Sequence, residues 1–300
     1  MSSHDHAEDP RNTTVLVWMN GRLVPRGEAV VSILDSGFLM GDGIWEGLRL
    51  HNGKVPFLDA HLDRLEENAR ALALELGWTR DGIRAAIDET VAANGMVDGV
   101  HMRLMVTRGL KTTPFQGTAV NVGGPTRILL AEWKDPPAEL FERGMSVVTV
   151  PIRRGRPDVQ DPAWNSHSKL NCVSASIAAA RAGGDEGLML DPHGFVATCN
   201  STHFFVVRRG ELLTSTGRYC LRGVTRQAVL DVAREAGIPT RECDFPLTWV
   251  YGAQEAFCTG TYAGIIPVNN VDGRTYDLPG PITARLSALY RERIAREVGG

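Results

Sequence analysis

The chain has 300 residues, enough for one large domain or two ordinary ones. An apolar share of 43% with 22% charged residues is that of a soluble globular protein, and a net charge of −3 excludes a basic surface for nucleic acid or anionic membrane. No apolar run reaches membrane-spanning length, and the five cysteines, Cys172, Cys199, Cys220, Cys243 and Cys258, form no C-x-x-C pair, which speaks against a zinc site or disulfide framework and for a cytoplasmic protein.

The start, "MSSHDHAEDPRN", reads as a loose polar tail, with His4 and His6 at most a weak metal site. Asn20-Gly21 marks a tight turn between two strands in "VLVWMNGRLVP". Glycines 41, 43 and 47 do not match G-x-G-x-x-G and read as turns and close backbone packing. Asp59 is expected to cap a helix whose apolar stripe is Leu62, Leu65, Ala69, Leu72 and Leu76, ended by Gly77. Thr79 should cap a second helix ending near Gly95, followed by strands "GVHMRLMVTRG" and "TRILLAEW". "KDPPAELFERG" is the linker candidate. The second half gives strands "MSVVTVPI", "GLMLD", "FVATC" and "HFFVVRRGELLTS", a helix "TRQAVLDVAREAG" and a last helix from Pro281. This pattern predicts an α+β protein: a small domain over 13–133, a linker over 134–143 and a larger domain over 144–300.

Positive charge is carried almost wholly by arginine, and only Lys54, Lys111, Lys134 and Lys169 are lysines. An amine, unlike a guanidinium, can lose its proton and attack a carbonyl. Lys54, Lys111 and Lys134 fall in a turn, a loop and the linker, all read as solvated. Lys169, in "NSHSKLN", adjoins the apolar run "VSASIAAARA". A salt-bridged or snorkelling lysine is the ordinary alternative there.

A second feature joins the amine. "LRGVTRQAVL" sets Gly223 before Val224 and Thr225 at a helix start, where free N–H groups suit phosphate. Read alone, it is also an ordinary helix capped by Thr225. "CTGTYAG" brings hydroxyls around Gly260, and Arg64 on the polar side of the first helix is a charged clamp candidate. An amine and a phosphate cradle together suggest pyridoxal 5'-phosphate (PLP).

The order and spacing of "FLMGDGIWEGLR", "HLDRL", "MRLMVTRG", the lysine segment, "LRGVTR", "TGTYAGIIPVNNVDG" and "GPITARL" resemble the fold-type IV PLP enzymes, from about Trp18 to about Glu297. That family includes branched-chain and D-amino-acid aminotransferases, (R)-amine transaminases and aminodeoxychorismate lyases. The resemblance implies a two-domain α+β fold with a β-barrel-like core in the larger domain. It implies that Lys169 is the Schiff-base lysine and proton carrier. It gives cofactor contacts to Arg64, Val224, Thr225, Gly260 and Thr261, and substrate contacts to Trp45, His101, Arg103, Tyr262 and Ala263. His101, Arg103, Met105 and Thr107 share one strand face by alternation, and Arg103 there suits a substrate carboxylate or a local carboxylate.

Two departures stand out. Thr198 occupies the place of the glutamate that usually meets the cofactor's pyridine nitrogen, and a neutral hydroxyl there is expected to donate a hydrogen bond to that nitrogen. The helix after Lys169 is about one turn short. The implied activity is transamination between an amino acid or amine and a 2-keto acid, in a homodimer without metal. A lyase or other elimination enzyme on the same fold is the alternative, and a non-catalytic PLP-binding protein a third reading.

Overall fold

The computed structural model describes residues 6–299, so His4 lies outside it. Among the described residues the chain divides into two compact units: 7–135 with 164–169, and 136–163 with 170–299. Part of the expected loose tail is ordered. Asn12, in a single turn over Pro10–Thr13, bonds both the N–H and the carbonyl of Trp133 at 2.9 Å.

The first unit holds strands β1 (Leu16–Met19), β2 (Arg22–Pro25), β3 (Gly43–Leu50), β4 (Val100–Thr107), β5 (Leu110–Lys111), β6 (Asn121–Val122) and β7 (Thr126–Trp133). Its helices are α1 (Ser36–Met40), α2 (Leu58–Ala71) and α3 (Arg80–Asn94). Asn20 and Gly21, with φ of 50° and 94°, make the β1–β2 turn that the Asn-Gly pair announces. The main sheet runs β2-β1-β7-β4-β3, antiparallel throughout, with β3 on an edge. Alternation sorts β4 cleanly. Val100, Met102, Leu104 and Val106 are fully buried against α2 and α3, whereas His101, Arg103 and Met105 are half-buried on the other face.

Helix α3 has the expected ends: the Thr79 hydroxyl accepts from Gly82 N–H, and Gly95 closes it in the left-handed region. Helix α2 does not. Phe57, at φ 55°, is its N-cap, and Asp59 lies inside the first turn. The helix stops at Ala71, before Gly77, because Ala73 at φ 46° turns the chain away. Leu62, Leu65 and Ala69 form its buried stripe, while Leu72 and Leu76 pack from beyond its end.

The second unit contains α4 (Ala138–Arg143), β8 (Met145–Thr149), α5 (Leu170–Arg181), β9 (Glu186–Leu190), β10 (Val196–Cys199), β11 (His203–Arg208) and β12 (Glu211–Thr214). It continues through α6 (Val224–Glu235), β13 (Thr240–Glu242), α7 (Leu247–Tyr251), β14 (Glu255–Gly260), β15 (Gly264–Val271), β16 (Arg274–Thr275) and α8 (Pro281–Glu297). Helix α4 thus falls in the segment read as a linker. The last helix begins at Pro281, where a missing N–H costs nothing. The sheet runs β10-β9-β8-β15-β14-β11-β12-β13, with β16 beside β15. β8 pairs in parallel with both β9 and β15, and β12 pairs in parallel with β13. Strands β10 and β14 stand four places apart on this path, yet Cys199 Sγ lies 3.8 Å from Cys258 Sγ. The sheet therefore curls back on itself, enclosing Phe204, Val206, Ile266 and Val268. These are the α+β fold and the mixed, barrel-like second sheet that the resemblance implied.

Candidate active site

Lys169 sits at the end of a segment that returns to the first unit and covers the free edge of β3. Ser166 bridges Ile44 antiparallel, Trp45 N–H donates to Asn165 O at 3.0 Å, and His167 N–H donates to Gly43 O at 2.8 Å. Side chains lock the register. The Trp45 indole N–H donates to Ser166 O at 3.1 Å, and Asn165 Nδ2 donates to Trp45 O at 2.6 Å. Two glycines make the approach possible. A Cβ at Gly41 would stand 2.6 Å from Ser168 Oγ, and one at Gly43 would stand 3.2 Å from His167 Nδ1. The glycines read as close backbone packing have that role.

On the half-buried face of the sheet, Trp45 collects the candidate substrate residues. The Arg103 guanidinium carbon is 4.1 Å from the Trp45 ring centroid and Lys169 Nζ is 5.5 Å from it. Gly47, paired with Arg103 across β3 and β4, leaves room for both, and His101 packs over it. Arg103 points away from the apolar core, on the face it shares with His101 and Met105. Burial pulls its pKa below the ordinary arginine value, and Glu132 opposes this only in part.

The remaining lysines are instructive. Lys54 is exposed in its turn, and Lys134 is half-buried. Lys111, expected to be solvated, is only 2% exposed, and its Nζ donates to Gly117 O and Asn121 Oδ1 at 3.2 and 3.0 Å. It ties together the β5–β6 loop, which sequence spacing alone does not show.

Arg64 is not on a free polar face. Its Nε and Nη2 donate to Glu46 Oε1 and Oε2 at 2.9 and 2.6 Å, and its side chain is 12% exposed. Glu46 is fully buried on the core-facing side of β3, opposite to Trp45 by alternation, and His61 Nδ1 is 2.7 Å from its Oε2. Burial pushes the Glu46 carboxyl up, but Arg64 and His61 outweigh it and hold the group below its ordinary 4.5. Sequence reading missed Glu46 and His61. The signal was there in the i,i+3 spacing of His61 and Arg64 on one helix face.

The second unit gathers the other candidates. The α6 N-cap is Gly223, not Thr225, and it offers no side-chain cap to the first helical N–H groups at Val224 and Thr225. A Cβ on Gly223 would stand 2.3 Å from His203 Cε1, and His203 Nε2 bonds Leu221 O at 2.6 Å, so the imidazole sets the loop before α6. His203 is paired with Thr259 of β14, whose hydroxyl is buried with no partner. Gly260 follows, close to Thr202, and Thr261, Tyr262 and Ala263 form the β14–β15 turn, with the Tyr262 side chain buried.

The Thr198 hydroxyl donates to Thr202 O at 2.8 Å. In this arrangement its one proton goes to a backbone carbonyl and not toward a ring nitrogen. What remains on that oxygen is acceptor capacity. Nearby, Glu186 Oε1 accepts from Ser201 N–H and Oγ at 2.8 and 2.6 Å and from Thr202 Oγ1 at 3.2 Å, while its Oε2 is buried and unpartnered. The uncapped helix start and the unpartnered Thr259 hydroxyl match a phosphate ester. An unpartnered buried carboxylate oxygen beside Thr202 matches a basic ring nitrogen. These residues fit PLP. Among the described residues, no group of acidic, His and Cys side chains could hold a metal ion, and no helix is long and apolar enough to cross a membrane.

Comparison with known proteins agrees with this chemistry. The amino-transferase class IV family matches residues 43–271. "Branched-chain-amino-acid aminotransferase-like protein 2" of Arabidopsis thaliana is 39% identical over 285 residues, 94% of this chain. The chain spans about half the length of that relative, 51%. The D-alanine aminotransferase of Listeria innocua is 32% identical over 94% of this chain and 97% of its own length. Among solved structures, the branched-chain aminotransferase of the archaeon Thermoproteus uzoniensis with norvaline superposes with a TM-score of 0.86. It is 30% identical, over 95% of this chain and 96% of that one. With the lysine segment on the β3 edge, the curled mixed sheet and this match over most of its length, the chain belongs to the class IV aminotransferase family.

Proposed function

We propose that this chain is a PLP-dependent transaminase that moves an amino group between an amino acid or amine and a 2-keto acid, with Lys169 as its catalytic residue. The observation that carries the reading is the half-buried lysine on the face of Trp45, next to Arg103. The cofactor, when bound, supplies the electron sink. Lys169 Nζ would hold it covalently and, as a free amine, would take the proton from the donor's α-carbon and hold it for return. In the second unit the Val224 and Thr225 N–H groups, Gly260 and Thr261 would hold the phosphate, and in the first Arg64, oriented by Glu46, would add charge. Thr198 would stand beside the ring. Trp45 and His101 in the first unit and Tyr262 and Ala263 in the second are the proposed substrate contacts. The relatives are named for branched-chain amino acids and for D-alanine, so the testing panel includes both hands. The PLP-saturated protein is mixed with L- and D-amino acids and amines, with and without 2-oxoglutarate or pyruvate. A spectral change with at most one equivalent of keto product from the donor alone, and further product only when an acceptor is added, supports transamination; sustained product without any acceptor overturns it.

Arg103 binds the substrate carboxylate in this reading. Arg103→Ala is expected to raise KM for amino acids by roughly 10- to 100-fold, the scale of a charge-assisted bond of ~1.5–3 kcal/mol. Simple amines should be almost unaffected. Equal losses for amino acids and amines would make Arg103 a structural residue.

A cytoplasmic homodimer is part of the same reading. Five free cysteines suit a reducing compartment. Leu170, Val173 and Ile177 line one exposed face of α5, and Val30, Ile33 and Phe38 are exposed in the first unit. Light scattering at assay dilution should give twice the chain mass. A fully active monomer is the contrary result.

A further inference from the structure

His167 lies two residues before Lys169 in the edge segment. A Cβ on Gly43 would stand 3.2 Å from His167 Nδ1. Gly43 shares its strand face with Trp45, so the imidazole opens onto the space of Trp45, Arg103 and Lys169. Its Nε2 is buried and has no hydrogen-bond partner. The ring's hydrogen bond goes to the Ile44 backbone. With Nε2 unpartnered, Nδ1 makes that bond and carries the proton, and Nε2 presents a lone pair.

The surroundings keep the ring neutral. Burial and then Arg103, from β4, push its pKa below the ordinary 6.5, and Lys169 adds to this from the same segment. Asp35, before α1, opposes them, but its oxygens already accept from Gly37 N–H and from the Thr107 and Thr126 hydroxyls. A neutral acceptor thus stands between two cationic side chains.

Amino donors arrive as ammonium ions, and a nitrogen without a lone pair cannot attack. Arg103 has no acceptor, and the Trp45 indole only donates. We propose that His167 is a further catalytic residue, whose Nε2 takes the proton of the incoming ammonium and passes it to the Lys169 amine as that amine is released. This rests on Lys169 as the cofactor lysine. One N–H bond of the donor breaks and one forms at Nε2; the freed pair makes the new C–N bond. The donor nitrogen gives up a second proton directly to the Lys169 nitrogen; as the C–N bond to Lys169 breaks, its pair takes the proton from Nε2, so Lys169 leaves as a neutral amine and the ring is neutral again. Imidazolium beside Arg103 and Lys169 is unfavourable, which drives the return.

The test uses the PLP-saturated full chain with His167→Gln and His167→Ala. Borohydride labelling of Lys169 comes first: its failure in the wild type defeats the transaminase reading itself, whereas its presence in wild type and variants isolates His167. Stopped-flow mixing with an amino acid should then show a rate about 100-fold lower in both variants, within the usual range of proton-transfer catalysis of ~10²–10⁴. The wild-type rate should fall as pH drops through the ring's lowered pKa, below 6.5, and this limb should vanish in the variants. Added imidazole should restore the rate of His167→Ala. A second readout needs no turnover: nitrogen NMR of the cofactor-free protein at about pH 7 should show a neutral His167 ring with its proton on Nδ1. Wild-type rates and pH limb in His167→Gln, losses without imidazole rescue, or an imidazolium or Nε2–H ring in the NMR spectrum each overturn the proposal. Should His167→Ala fail to fold, His167→Gln and the NMR spectrum still decide.

Discussion

Lys169→Ala is expected to leave a folded protein that transfers amino groups at least about 1000-fold more slowly than the wild type. A positioned acid–base group is worth ~10²–10⁴-fold, and the substitution also removes the covalent hold on the cofactor. Lys169→Arg should be no better. It keeps the charge next to Trp45 but cannot give up a proton at working pH. Backbone bonds, not the lysine, hold the segment to β3, so circular dichroism should be unchanged. A Lys169→Ala variant with more than a tenth of wild-type turnover would remove the assignment.

Glu46→Gln is the second large effect, and it is on stability. Glu46 is buried between Arg64 and His61, and removing one member of a buried ion pair typically costs ~3–5 kcal/mol because the partner's charge is left uncompensated. The pH dependence follows from the sign of the shift. The folded carboxyl is held below 4.5, so its contribution is present above the unfolded value and is lost as pH falls through the folded one. Denaturant unfolding at about pH 7 should show the loss, and the gap between wild type and variant should close in acid. Equal stability of the two proteins at neutral pH would mean that the pair adds nothing. Cofactor affinity should fall together with stability, because the same two bonds orient Arg64.

What could be read in advance was mostly local. Asn20-Gly21, the Thr79 cap with Gly95 and the Pro281 start each act within a few residues, so the chain writes them where they occur. The alternation of β4 likewise sorted His101 and Arg103 from Met102 and Leu104 before any partner was known. The misses came from distant partners. Trp45 and Asn165 are 120 residues apart, and nothing local announces that "NSHSK" will cover the edge of β3. Glu46 sits in a strand, but only the pairing with α2 makes Arg64 a buried residue. The burial of Lys111 rests on a neighbouring loop. Thr198 is expected to donate to a ring nitrogen, and in this arrangement its proton goes to a carbonyl four residues on. The starts of α2 and α6 differ from expectation because Phe57 and Gly223 cap by backbone conformation and not by side chain.

The central claim is that Lys169 alone among the four lysines carries the cofactor. Reducing the PLP-saturated protein with borohydride, digesting it and locating the phosphopyridoxyl group by mass spectrometry tests this directly. The account predicts the label on the peptide containing Lys169; label on Lys54, Lys111 or Lys134, with Lys169 unmodified, would contradict it.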